Sequence, residues 1–130
     1  MSRWQRYLTP FATTLLVIGL ARAAMAHVRL DRAEPKVGST VACSPNEIKV
    51  YFDGEVAPAL CCVQVFDSNG NQVDKKDTHL GPKDDTCVIV SVPTLAAGTY
   101  KVVWCACCVD DHKTRGNFKF DVTPGDEKRR

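Results

Sequence analysis

Methionine is confined to Met1 and Met25, and histidine to His27, His79 and His112. No Gly-x-Ser-x-Gly elbow and no glycine-rich phosphate loop occurs in the 130 residues. The first shortage excludes a thioether-rich metal site beyond residue 26. The missing motifs argue against a serine hydrolase or a nucleotide-phosphate cradle. Beyond residue 26 no apolar run approaches the roughly 20 residues that span a bilayer. No basic segment with interleaved aromatics occurs, so nothing favours nucleic acid as a partner. Repeats, low-complexity tracts and convincing amphipathic helices are missing too, and no loop is long enough to build a deep substrate pocket.

What is present begins with a leader. Arg3 and Arg6 precede an apolar stretch from Tyr7 to Leu20, and Ala24-Met25-Ala26 supplies the small-x-small pattern of a signal-peptidase site. Pro10, Thr13 and Thr14 interrupt the stretch, which makes it a poor membrane anchor. Residues 1–26 are therefore expected to be a signal peptide cleaved after Ala26, leaving His27 at the N-terminus of an exported protein. The leader carries Arg3, Arg6 and Arg22 and no acid, so removing three cations takes the formal charge from +2 to −1. The basicity belongs to the leader, and the remainder suits one small domain.

That remainder reads as strands. Glu47 to Asp53 alternates, with Ile48, Val50 and Phe52 on one face. Further strands are expected over Val28–Ala33, Leu60–Asp67, Gln72–Asp74, Thr86–Val92, the segment entered at Gly98, and Gly116–Val122. Asn69-Gly70 signals a tight hairpin, and Lys75–Asp85 reads as a polar loop. Tyr100, two residues beyond Gly98 at the start of a long strand, resembles the tyrosine corner of immunoglobulin-like domains. The expectation is an all-β, seven-stranded Greek-key sandwich or barrel of immunoglobulin-like type over residues 27–122, followed by a frayed charged tail, 123–130.

The chemistry concentrates in Gly98–His112. Asp110 and His112 are two residues apart, so extended backbone projects both to one side. His27, as a new N-terminus, offers an α-amine and an imidazole to the same metal. With His112 this gives three nitrogens, and Asp110 adds an oxygen. Such a tetragonal, nitrogen-rich set suits Cu(II) best among divalent ions. Each histidine taken alone is more often a solvated loop or terminal residue; the pairing with the cleavage position carries the reading. His79, with only Asp77 near it in sequence, reads as exposed.

Seven cysteines allow at most three bridges and leave one thiol over. In an exported protein they should oxidise where geometry permits. Alternation sets Cys105 and Cys107 opposite Trp104 and puts Cys108 on its face, while Cys61 and Cys62 point to opposite faces. A Cys105–Cys107 bridge is disfavoured because residues two apart on a strand lie roughly 6.5–7 Å apart. The structural reading is a cross-strand bridge, for instance from Cys61 or Cys87 to Cys105 or Cys107. The functional reading is a thiolate site for Cu(I) or zinc beside Asp110 and His112, drawn from Cys61, Cys105, Cys107 and Cys108. A Cys108/His112 nucleophile pair lacks any group to orient the imidazole.

At this point the chain resembles the periplasmic copper-resistance CopC family. The resemblance rests on Ala26/His27, Glu34-Pro35, Gly38 to Val41, Ser44-Pro45, Tyr51-Phe52, Leu95 to Tyr100, and above all Val103-Trp104 with Val109-Asp110-Asp111-His112-Lys113-Thr114-Arg115-Gly116. It implies a Greek-key β-barrel of immunoglobulin-like topology, and a Cu(II) site of His27 (amine and imidazole), Asp110 and His112. It also implies a periplasmic role in sequestering copper or passing it to an inner-membrane importer or another copper protein, without catalysis. Three departures stand out. Gly54 occupies the place of a loop glutamate carried by many members, with Asp53 and Glu55 as possible substitutes. The methionine-rich Cu(I) loop of some members is missing, and the seven cysteines are foreign to the pattern. The rival readings are a disulfide-stapled immunoglobulin-like interaction module and, more remotely, a copper enzyme that activates oxygen.

Overall fold

The computed structural model describes residues 28–108 and 113–124. Eight strands follow one another: β1 (Leu30–Glu34), β2 (Thr40–Val41), β3 (Glu47–Phe52), β4 (Cys62–Phe66), β5 (His79–Gly81), β6 (Asp84–Ser91), β7 (Gly98–Cys107) and β8 (Lys113–Val122). A single 3₁₀ turn, Pro58–Leu60, precedes β4. No helix among the described residues is long and apolar enough to cross a membrane.

Two four-stranded sheets, ordered β1-β3-β6-β5 and β2-β8-β7-β4, face each other. In the lettering of immunoglobulin domains the first is the ABED sheet, and β8-β7-β4 is GFC. The periodicity of two explains which residues lie between them. Ile48, Val50 and Phe52 on β3, Val63 and Val65 on β4, and Tyr100, Val102, Trp104 and Ala106 on β7 point inward and are buried, with Val88 and Val90, Phe118, Phe120 and Val122 completing the core. Phe52 meets Trp104 edge-on across the sandwich at 5.2 Å between ring centroids.

The expected strands are recovered, with three differences. The first strand is split: the chain leaves the first sheet at the cis peptide Glu34–Pro35, turns at Gly38 (φ 73°), and resumes as β2, parallel to β8 in the other sheet. Gln72–Asp74 is no full strand, because only Gln72 bridges Phe66 and the Val73 amide bonds the Val65 carbonyl at 2.8 Å. His79–Gly81, read from sequence as loop, pairs with β6. Three residues beside Gly-Pro offer no alternation from which a strand could be recognised. Among the described residues the strands therefore number eight where seven were expected.

The tyrosine corner forms as expected, the Tyr100 hydroxyl donating to the Ala96 carbonyl at 2.6 Å. At the Asn-Gly turn, Gly70 (φ 85°) donates its amide to Asp67, whose carboxylate accepts from the amides of Asn69 and Asn71. Thr123, at the start of the expected tail, bonds the Val41 carbonyl through its amide at 3.0 Å; residues 125–130 lie outside the described part.

Candidate metal centre

His27, Asp110 and His112, the expected Cu(II) ligands, lie outside the described residues. Their chain neighbours are described, and they gather at one end of the sandwich. The Thr114 hydroxyl, two residues beyond His112, donates to the Val28 carbonyl, one residue beyond His27, at 3.0 Å. Val28 is itself buried. The Arg29 amide donates to the Asp53 carboxylate at 2.8 Å, and the Asp53 amide donates back to the Arg29 carbonyl at 3.0 Å. The start of the domain is thus clamped between the loop after β3 and the first residues of β8.

This clamp assigns a role to Asp53. Its carboxylate holds the Arg29 amide, so of the two acids near Gly54 it is engaged with the backbone, while Glu55 is exposed. The β7–β8 hairpin sits over the same end: Cys107 is opposite Lys113 in register, and Cys108 bridges Val56. Sequence reasoning picked out the ends of this arrangement and named Asp53 only as a possible substitute for the loop glutamate; it missed Thr114 and the backbone role of Asp53. Their signal was adjacency to a candidate ligand and to the anomalous Gly54.

The cysteines sort by face. The one disulfide among the described residues joins Cys62 to Cys105, with Cα atoms 5.1 Å apart. These two are direct register partners on β4 and β7. The expected partners of Cys105 or Cys107, Cys61 or Cys87, are corrected by this pairing. Cys61 lies before β4, at the end of the 3₁₀ turn. Cys87 is on β6 in the opposite sheet, where the Tyr51 hydroxyl bonds its sulfur and Gly81 leaves room for it, a Cβ there falling 3.3 Å from Sγ. Cys43 is exposed. Cys107 is fully buried and Cys108 lies within the core, the alternation about Trp104 that the sequence implied.

Cys61 is half-buried and donates to the Ala57 carbonyl at 3.1 Å. Burial pushes its thiol pKa up, the backbone of Cys107 beside it pulls it back, and the Cys107 side chain adds a smaller upward push. His79 is exposed, as expected, its Nδ1 2.7 Å from the Asp77 carbonyl. Among the described residues no three His, Cys, Asp or Glu side chains converge on one point that could hold a metal.

A family model described as the CopC domain matches residues 30–123. The copper resistance protein C of Escherichia coli is 30% identical over 114 residues, spanning 82% of this chain and 90% of that protein. The protein of the same name from Pseudomonas syringae pv. tomato is 30% identical over 122 residues, spanning 89% and 94%. The copper transport protein CutJ of Bacillus subtilis is 25% identical over 115 residues, but the chain spans only 21% of its length. Among solved structures, CopC from Methylosinus trichosporium OB3b superposes with a TM-score of 0.71 at 31% identity, over 75% of this chain and 95% of that one. PcoC, a methionine-rich copper resistance protein of Escherichia coli, gives a TM-score of 0.67 at 27% identity, over 75% and 100%.

Proposed function

The chain belongs to the CopC family, and from that premise we propose that it is an exported, periplasmic copper-binding protein. It holds Cu(II) through the His27 amine and imidazole, His112 and Asp110, and it sequesters the ion or hands it on to a membrane importer or another copper protein. The role is binding and transfer; no turnover is invoked. The observation that carries the reading is the 3.0 Å hydrogen bond from Thr114 to the Val28 carbonyl. It joins the residue after one histidine to a residue two steps past the other, where each step along the chain spans about 3.8 Å. Two nitrogens from one terminus and a third from the hairpin then complete a nitrogen-rich set of the kind Cu(II) prefers.

The test is Cu(II) electron paramagnetic resonance on protein beginning at His27, beside His112→Ala and a form carrying one additional Gly before His27. Wild type should show one tetragonal, nitrogen-rich ion per chain. His112→Ala should lose that spectrum, and the Gly extension should weaken binding strongly by displacing the amine. Unchanged affinity in the extended form would rule out the terminal-amine site.

A further inference from the structure

We propose that the outer face of the β2-β8-β7-β4 sheet carries a binding site for a small organic anion. Its carboxylate or phosphate oxygens are held between Lys101 and Lys119, and its apolar body lies on Phe66 and Val103. Register builds the site. Phe66 on β4 stands opposite Lys101 on β7, and Lys101 stands opposite Lys119 on β8. One row across three strands therefore reads phenyl, ammonium, ammonium. Val103 follows Lys101 by two residues and so shares its face. Val65, Val102 and Phe120, the alternate positions, are buried in the core, which leaves this row on the outside with Phe66 and Val103 half-buried. Asp67, Ser68 and Gly70 of the turn after β4 line the same cavity, whose volume is about 500 Å³, within the range of small-ligand sites.

The charges select an anion. Opposed residues on antiparallel strands have Cβ atoms about 4.5–5.5 Å apart, so two long, flexible lysine stems bring both ammonium groups to one acceptor. Left alone the two cations repel; an anion between them replaces that repulsion with two attractions. Neither lysine makes an ion pair among the described residues, where the salt bridges are Arg32–Glu34 and Lys49–Glu47. The acids nearby are engaged elsewhere. The Asp67 carboxylate accepts from the backbone amides of Asn69 and Asn71 and from the Asn71 side chain. Asp121 accepts from the Thr99 hydroxyl at 2.6 Å. The cavity thus sets two cations against the one carboxylate of Asp67, and that carboxylate is held by its own turn. The apolar floor of Phe66 and Val103 adds burial for an aromatic or aliphatic body, which distinguishes the ligand from a free inorganic ion. A phospholipid headgroup shares the anionic chemistry, and the experiment separates the two sources.

The site makes no use of the copper ligands, so it stands or falls apart from them in metal-free protein beginning at His27. Nitrogen-15-labelled protein is titrated with phenyl phosphate, with inorganic phosphate and with phosphatidylglycerol vesicles. Phenyl phosphate should give saturable amide shifts centred on Phe66, Lys101, Val103 and Lys119, with one site and a dissociation constant of about 1 mM or below. Inorganic phosphate should bind about tenfold more weakly, since it buries no ring, and added salt should weaken both. Lys101→Ala and Lys119→Ala should each weaken phenyl phosphate by about tenfold or more, the range for a lost charged hydrogen bond. Lys119→Glu should abolish binding; because it removes the cross-strand repulsion, its thermal midpoint should not fall, and the loss is not one of fold. Lys49→Ala, on the other sheet, should bind as wild type does. Unchanged affinity in a Lys101→Ala/Lys119→Ala double variant would overturn the site. So would equal affinity for inorganic phosphate, shifts spread over every lysine-bearing surface, or vesicle binding without saturable binding of phenyl phosphate.

Discussion

Gly116 on β8 stands opposite Trp104 on the neighbouring strand β7. A Cβ there would fall 2.6 Å from Cζ2 of Trp104, so the indole lies flat against bare backbone. Gly116→Ala is expected to lower stability by about 1–3 kcal/mol, the range for overpacking a filled core, as a drop in the urea midpoint. Asp74 is the one buried polar or charged residue among those described; it accepts from the Val65 amide at 2.8 Å, the Gln72 amide group at 3.0 Å and the Lys76 amide at 3.1 Å. Asp74→Ala strands the buried Val65 donor and should cost about 1–3 kcal/mol by the same measurement. Tyr100 sets a pH dependence. Burial first, then the charge of Asp67, raise its pKa above the ordinary 10.0. The folded chain therefore favours the neutral phenol; that stabilisation is complete below pH 10 and is lost as pH rises through the higher folded-state value. Tyr100→Phe should lose about 1 kcal/mol at neutral pH with the bond to Ala96. It should also show a shallower alkaline decline, with Tyr51, Cys61 and Cys87, all raised by burial, contributing to what is left.

Among the elements, the outer face of the β2-β8-β7-β4 sheet holds an arrangement that stability alone disfavours. Lys101 stands directly opposite Lys119, and like charges across a strand pair repel. Lys119→Glu converts the pair to an attractive one and should raise the thermal midpoint by an amount matching about 0.2–1 kcal/mol, shrinking as salt is added. The strands themselves were legible where alternation was long, as in β3 and β7. They were hidden where pairing was decided elsewhere: β2 exists because β8 offers it an edge, and β5 because β6 does. Register was the larger gap. Nothing in the run from Gly54 to Cys61 reveals that the 3₁₀ turn consumes the residues before β4, and that turn alone sets Cys62, rather than Cys61, against Cys105.

At the scale of the whole molecule, Cys62–Cys105 spans 43 positions of sequence and ties β4 to β7. Closing a loop of that length in the unfolded chain is worth up to about 4 kcal/mol. Replacing both cysteines by alanine should lower the denaturation midpoint accordingly, with circular dichroism still reporting a β-sandwich below it. The candidate Cu(II) ligands were legible from residue type, from the expected cleavage position and from resemblance. What brings their surroundings together was not, because Thr114 and Val28 are separated by 86 positions and only folding makes them neighbours. Trp104 adds a consequence of a different kind. The chain contains two tryptophans, Trp4 and Trp104, so protein starting at His27 has a single indole. It is buried against Gly116, and its N–H finds no acceptor among the described residues. The domain therefore carries one built-in fluorophore in an apolar, water-poor setting, on the strand that leads towards the proposed Cu(II) ligands. Its emission should be blue-shifted when folded and should dim as a paramagnetic ion is added, giving a label-free optical readout of loading in dilute solution.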